Sequence, residues 1–171
     1  MSIRATVGEK AYRDYGGILS RMKPQPDRAA SMQAAVDVFW EALGGRGISW
    51  IGFYAKAAGR DEMLLHARRD KPACSPIGLH GMCGRAWREK RLIIVNDVAT
   101  LGADYIACDP KDRSEAVVPL FEPDGSCWGV LDADSYEVGA FSEMDIGGLT
   151  RAVERMGLST PQWPPAVALR L

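Results

Sequence analysis

Apolar residues recur at helical spacing at Tyr12, Tyr15, Leu19 and Met22, and Pro24 and Pro26 end the helix they imply. Asp27 is placed to cap a second helix that carries Met32, Val36, Phe39 and Leu43 on one face, with Gly44 and Gly45 at its end. The period then changes. Ile48 to Ala55 and Met63 to Ala67 are rich in strand formers, and Gly59, Arg60 and Asp61 between them supply turn chemistry, which predicts a hairpin. Lys71 to Gly81 holds two prolines and two glycines and reads as loop; a short helix over Met82 to Glu89 and a buried strand over Leu92 to Val95 follow. Asn96 to Arg113 reads as a long ordered loop, a length that is uncommon without a purpose. Ser114 to Phe121 and Cys127 to Asp134 are strands joined at Pro123-Asp124-Gly125. Ser142 and Asp145 form a capping box for a helix that turns Leu149, Val153 and Met156 inward. The tail after Ser159 is expected to be irregular. Strands dominated by hairpins, with helices at both ends, predict an α+β fold: a central antiparallel sheet with helices packed on it.

Composition narrows the function classes. At 171 residues and ~150 residues per domain, the chain is expected to hold one domain. Lys and Arg number 21 against 22 Asp and Glu, a net charge of −1, so there is no basic footprint for nucleic acid. No apolar run approaches the ~20 residues of a membrane span, and the first residues lack the apolar core of a signal peptide. A cytoplasmic location is therefore expected. In that compartment Cys74, Cys83, Cys108 and Cys127 are better read as reactive or metal-bound thiols than as structural disulfides.

Cys127 begins a strand beside Trp128 and reads as a packed residue; the other three fall in or beside the irregular stretches. No Cys-x-x-Cys is present, and nothing places His66 or His80 with the cysteines, so no metal is expected. Thiol redox chemistry fits better: one thiolate is oxidised to a sulfenic acid, and a second thiol within reach condenses with it to a disulfide.

The acidic residues add a second feature. Asp132 and Asp134 are two apart in a strand and project from one face, which by strict alternation also carries Trp128 and Val130. If the hairpin closes with a two- or four-residue loop, Glu115 of the partner strand lies opposite Asp134 and three carboxylates converge. If Pro123-Asp124-Gly125 is a three-residue loop with a glycine bulge, Glu115 turns to the other face. Acids beside aromatics suit an ammonium-bearing ligand, and Trp50 and Tyr54 of the first strand offer either an aromatic wall or plain core packing.

At these residues the sequence resembles the free methionine-(R)-sulfoxide reductases, which are single GAF-type domains. The segments that carry the likeness are Trp50-Ile-Gly-Phe-Tyr54, Ala73-Cys74-Ser-Pro-Ile-Gly, Gly81-Met-Cys83-Gly84, Ile106-Ala-Cys108-Asp109, Ser114-Glu115-Ala-Val-Val-Pro-Leu120 and Gly129-Val-Leu-Asp132-Ala-Asp134-Ser135. The likeness covers about residues 48–156 and implies a GAF-like sheet of about six strands; the residue pattern adds helices in residues 1–45 that pack on a catalytic domain at 46–158 and an irregular tail at 159–171. The likeness implies Cys108 as the catalytic cysteine, Cys83 as the main resolving cysteine and Cys74 as a further exchanging thiol. Glu115, Asp132 and Asp134 would bind and polarise the substrate, with Trp50 and Tyr54 at its methyl end. Free methionine sulfoxide is then the substrate, no cofactor is bound, thioredoxin is the external reductant, and a homodimer is expected. The alternative is a non-catalytic GAF sensor of a small molecule or of redox state. Two departures stand out: Leu79-His80-Gly81-Met82 where the family often has Gly-x-Gly, and Tyr105 where it often has His. Carboxylates near a thiol disfavour its thiolate, so an offsetting helix N-terminus or cation is required, Arg113 being one candidate.

Overall fold

The computed structural model describes residues 13–163 and 166–171. Tyr12, the first residue of the expected helical stripe, and Pro164 and Pro165 of the tail lie outside the described residues. Helix α1 (Tyr15–Arg21) begins at Asp14, whose carboxylate accepts the Gly17 N–H at 2.9 Å, and it buries Tyr15 and Ile18. Helix α2 (Arg28–Leu43) is capped by Asp27 through the Ala30 N–H at 2.8 Å and buries the expected face of Met32, Val36, Phe39 and Leu43. Helix α3 (Met82–Glu89) has the expected bounds, and α4 (Glu143–Arg155) starts in the Ser142–Asp145 capping box.

Seven strands form one sheet: β1 (Trp50–Lys56), β2 (Glu62–Arg69), β3 (Ile77–Gly78), β4 (Ile93–Val95), β5 (Ser114–Phe121), β6 (Cys127–Ser135) and β7 (Leu169–Arg170), in the order β3-β2-β1-β6-β5-β4-β7. This corrects the expected antiparallel sheet of about six strands in two ways. The count is seven, because two-residue strands form inside segments whose composition reads as irregular. The sheet is mixed, because β7 runs parallel to β4. Such short strands carry too few residues to show a period, and only tertiary pairing creates them.

The sheet is covered on both faces. Ile51, Phe53, Ile94, Val118, Leu120 and Leu131 pack with α1, α2 and α4 in the larger core. Trp50, Tyr54, Ile93, Val117 and Val130 alternate with them and meet α3 on the other face. Phe39 and Phe53 are fully buried in the larger core, where each side chain stabilises the fold by roughly 1.5–3 kcal/mol. Arg13 and Tyr15 tie the helices together: Arg13 Nη1 lies 2.9 Å from Asp145 Oδ1, and the Tyr15 hydroxyl donates to the same oxygen at 2.8 Å. Among the described residues, no helix is long and apolar enough to cross a membrane.

The β5–β6 hairpin settles the open register in an unexpected way. The Glu122 N–H donates to Ser126 O at 2.9 Å, and Gly125 sits at φ +82°, so the loop is the three-residue Pro123-Asp124-Gly125. That loop alone would turn Glu115 away from Asp134. The register then shifts, with Phe121 opposite Cys127 but Leu120 opposite Gly129, leaving Trp128 as the extra residue of a bulge. The bulge restores the parity, and Glu115 pairs with Asp134. It also corrects the expected position of Trp128. This side chain lies against the larger core, donating to Leu158 O at 3.0 Å under the Arg28 guanidinium, away from the carboxylates.

Candidate active site

The register places the site on the α3 face of the sheet. Asp134 lies between Trp50 and Glu115, and Asp132 between Gly52 and Val117, so three neighbouring strands present two aromatic residues and three carboxylates side by side. Helix α3 covers them and brings Cys83 in its first turn. Trp50, Tyr54, Cys83, Cys108, Glu115, Asp132 and Asp134 all line one cavity. Cys74 is joined to it by a disulfide to Cys108, with the two Cα atoms 5.5 Å apart. The resemblance assigns Cys83 as the main partner of Cys108; here the bonded partner is Cys74, and Cys83 is free and buried.

Both cysteine-bearing segments are anchored to this floor. Trp50 Nε1 donates to Lys71 O at 2.9 Å, and the Tyr54 hydroxyl donates to Cys74 O at 2.8 Å, which lays residues 71–74 across the aromatic pair. The Lys71 ammonium pairs with Asp109 and with the Tyr136 hydroxyl, and that hydroxyl donates to Asp109 Oδ2 at 2.9 Å. Lys71 thus links the Cys74 segment to the residue after Cys108. Its hydrogen bond, with that of the Lys111 N–H, holds the Asp109 carboxyl down at about 2. Arg113, the cation suggested for Cys108, turns instead to Asp97 at 3.4 Å. Lys71 lies with Cys108 and Asp134 along an adjoining cleft.

Among the described residues no basic side chain lines the cavity, whereas Asp112, Glu115, Asp132 and Asp134 all do. Burial followed by the charge of Asp134 pushes the Glu115 carboxyl from 4.5 to about 8. Burial and then Glu115 raise Asp132 well above the carboxylate range; burial and then Asp132 do the same to Asp134. Burial and the Asp132 charge raise the Cys83 thiol. At neutral pH the cluster therefore holds protons, since several neighbouring carboxylates without a cation cannot all ionise. One oxygen each of Glu115 and Asp132 (Oε2 and Oδ1) has no hydrogen-bond partner. In this disulfide-closed form the cavity encloses about 40 Å³, room for a few waters at ~10–15 Å³ each and too little for an amino acid.

Asp112 and Tyr105 also line this space and escaped the sequence reading as site residues. Burial raises the Asp112 carboxyl to about 6, against the lowering effect of the Ser49 hydroxyl that donates to it at 3.2 Å. Its only signal is a second acid four residues after Cys108, which by itself reads as loop polarity.

The GAF domain family model matches residues 26–158. Free methionine-R-sulfoxide reductase of Saccharomyces cerevisiae is 33% identical over 125 residues, covering 71% of this chain and 69% of that protein. The chain belongs to the free methionine-R-sulfoxide reductase family of GAF domains. The GAF domain-containing protein A of Dictyostelium discoideum is 36% identical over 106 residues, and the match spans 61% of this chain and 65% of that protein. Among solved structures, the family's Neisseria meningitidis enzyme in complex with its substrate superposes with a TM-score of 0.73 at 36% identity, over 85% of this chain and 87% of that one. The free methionine-R-sulfoxide reductase fold and the GAF architecture are thus shared along most of the chain.

Proposed function

We propose that this protein reduces free methionine-(R)-sulfoxide to methionine. The observation that carries the reading is the convergence of a redox-paired cysteine, Cys108, with three carboxylates and an aromatic pair in one cavity. The names of the related proteins agree with it.

In this reading the ammonium of the amino acid supplies the positive charge that the carboxylate cluster lacks. Trp50 and Tyr54, with ring centroids 6.1 Å apart, border the methyl group. The substrate carboxylate faces the first turn of α3, whose N-cap Gly81 brings no capping side chain, so its backbone N–H groups and helix dipole favour an anion. Glu115 or its partner acids hold a proton at neutral pH and donate it to the sulfoxide oxygen, making the sulfur electrophilic.

The Cys108 thiolate then attacks that sulfur. The oxygen passes to Cys108 as a sulfenic acid and methionine leaves. A second thiol displaces the oxygen as water and forms a disulfide. The Cys74–Cys108 bond supports Cys74 as the first resolving thiol in place of Cys83. An external dithiol of the thioredoxin class takes over that disulfide and returns both cysteines to thiols.

The test is a coupled assay of the purified protein with each epimer of free methionine sulfoxide, thioredoxin, its reductase and the nicotinamide reductant. Turnover of the R epimer that Cys108→Ser abolishes is expected. Turnover that survives Cys108→Ser overturns the nucleophile, and no turnover of the R epimer favours a sensor.

A further inference from the structure

We propose that Cys83, Glu115 and Asp132 form a binding site for a divalent cation of the zinc class, with the remaining coordination position open to the cavity. The sequence set metals aside for want of a spaced ligand pair, but the fold assembles a ligand set from three separate elements. The Cys83 sulfur and one carboxylate oxygen each of Glu115 and Asp132 lie within 4.8 Å of one another. A tetrahedral zinc with sulfur at ~2.3 Å and oxygen at ~2.1 Å holds such atoms roughly 3.5 Å apart. Closing by about 1 Å lies within side-chain adjustment.

Three further observations favour a cation that uses all three groups. Cys83, Glu115 and Asp132 are only 5%, 5% and 6% exposed. Glu115 Oε2 and Asp132 Oδ1 are buried without a hydrogen-bond partner, and among the described residues no basic side chain lines the cavity. The ligands also sit on β5, β6 and the first turn of α3, elements held by sheet register and helix packing, so the site is preorganised. A thiolate donor selects a borderline-soft ion over magnesium or calcium, which take oxygen ligands. A cation held there occupies the place assigned above to the substrate's ammonium, so metal and amino acid exclude one another. It also removes Cys83 from thiol exchange.

The site can be tested without turnover, because Cys83 is free while Cys74 and Cys108 are locked in their disulfide. Co²⁺, a spectroscopic substitute for zinc, is titrated into the disulfide form of the full chain in metal-free buffer. One equivalent with a thiolate-to-cobalt charge-transfer band and tetrahedral ligand-field bands is expected, both lost on adding Zn²⁺. Cys83→Ser should remove the charge-transfer band and weaken Zn²⁺ binding by more than about 100-fold, beyond the ~10–100-fold effect of outer-shell partners. Cys127→Ser, which changes the other free thiol among the described residues, should alter nothing. Asp132→Asn gives a second variant should Cys83→Ser fail to fold, and it too should weaken Zn²⁺ binding by more than about 100-fold.

A band that persists in Cys83→Ser, or disappears in Cys127→Ser, overturns the site; so does the absence of a band in the parent protein. Cobalt binding without sulfoxide reduction would sink the reductase reading alone, and reduction without cobalt binding would sink this inference alone.

Discussion

Glu115→Gln is expected to stabilise the protein at neutral pH. In the folded state the Glu115 carboxyl titrates at about 8, against 4.5 ordinarily, because it is buried beside Asp134. Folding therefore forces the side chain to take up a proton that the unfolded chain releases. The penalty is absent below the unfolded value, grows as pH rises through the interval, and is constant above about 8. At pH 7 the gap above the unfolded value is about 2.5 units, and at ~1.36 kcal/mol per unit the penalty is about 3 kcal/mol. A glutamine carries no such cost, and its amide N–H can face the unpartnered Asp132 Oδ1. For a chain of this length, ~3 kcal/mol corresponds to a rise in Tm of roughly 6–12 °C. The assay compares thermal and urea unfolding of parent and variant, both in the disulfide form with chelator present, at pH 5 and pH 7. The difference should be under about 1 kcal/mol at pH 5 and about 3 kcal/mol at pH 7. A variant less stable than the parent at pH 7, or one with the same advantage at both pH values, would refute the reasoning. The same substitution should impair sulfoxide reduction, so stability and activity move in opposite directions.

Two more perturbations probe the frame that holds the site. Gly129→Ala would place a methyl group 2.4 Å from Tyr54 O and 3.2 Å from Ala55 Cα, both backbone atoms of β1. It should lower the free energy of unfolding from urea melts by about 1–3 kcal/mol at unchanged m, and a neutral result would mean that the β1–β6 contact is not so tight. Arg13→Met strips the guanidinium from Asp145. Burial raises this carboxyl, but Arg13, aided by the Ser142 N–H and the Tyr15 hydroxyl, holds it below the ordinary 3.8. The variant should lose about 3–5 kcal/mol at neutral pH, since it leaves a buried charge unpaired. The loss should shrink in acid, because the stabilisation of a depressed carboxylate is present above 3.8 and vanishes as Asp145 protonates. A pH-independent loss in denaturant melts would count against the ion pair.

Much of this was legible in the residues. Helices α2, α3 and α4 follow from apolar spacing and from Asp27 and Ser142 as caps, because capping and 3.6-residue periodicity are local properties. The short segments holding Cys108, Glu115, Asp132 and Asp134 were singled out from their residue types, and the fold brings these four to one cavity. Asp112 and the Lys71–Asp109–Tyr136 cluster were not, because an acid or a lysine in a loop looks the same whether or not a fold buries or pairs it.

What the residue order determined by itself was the longer elements, the capping of α2 and α4 and the candidate chemistry. Register, pairing and charge state were decided only in three dimensions. A three-residue turn would have sent Glu115 to the wrong face; a bulge at Trp128 several residues away brought it back. Tertiary packing chose Cys74 over Cys83 as the partner of Cys108, and added β7 to the sheet from the far end of the chain. It also raised the Glu115 carboxyl to about 8. Local pattern reports which way a side chain alternates, whereas a single inserted residue inverts that alternation, and desolvation depends on everything else that packs nearby.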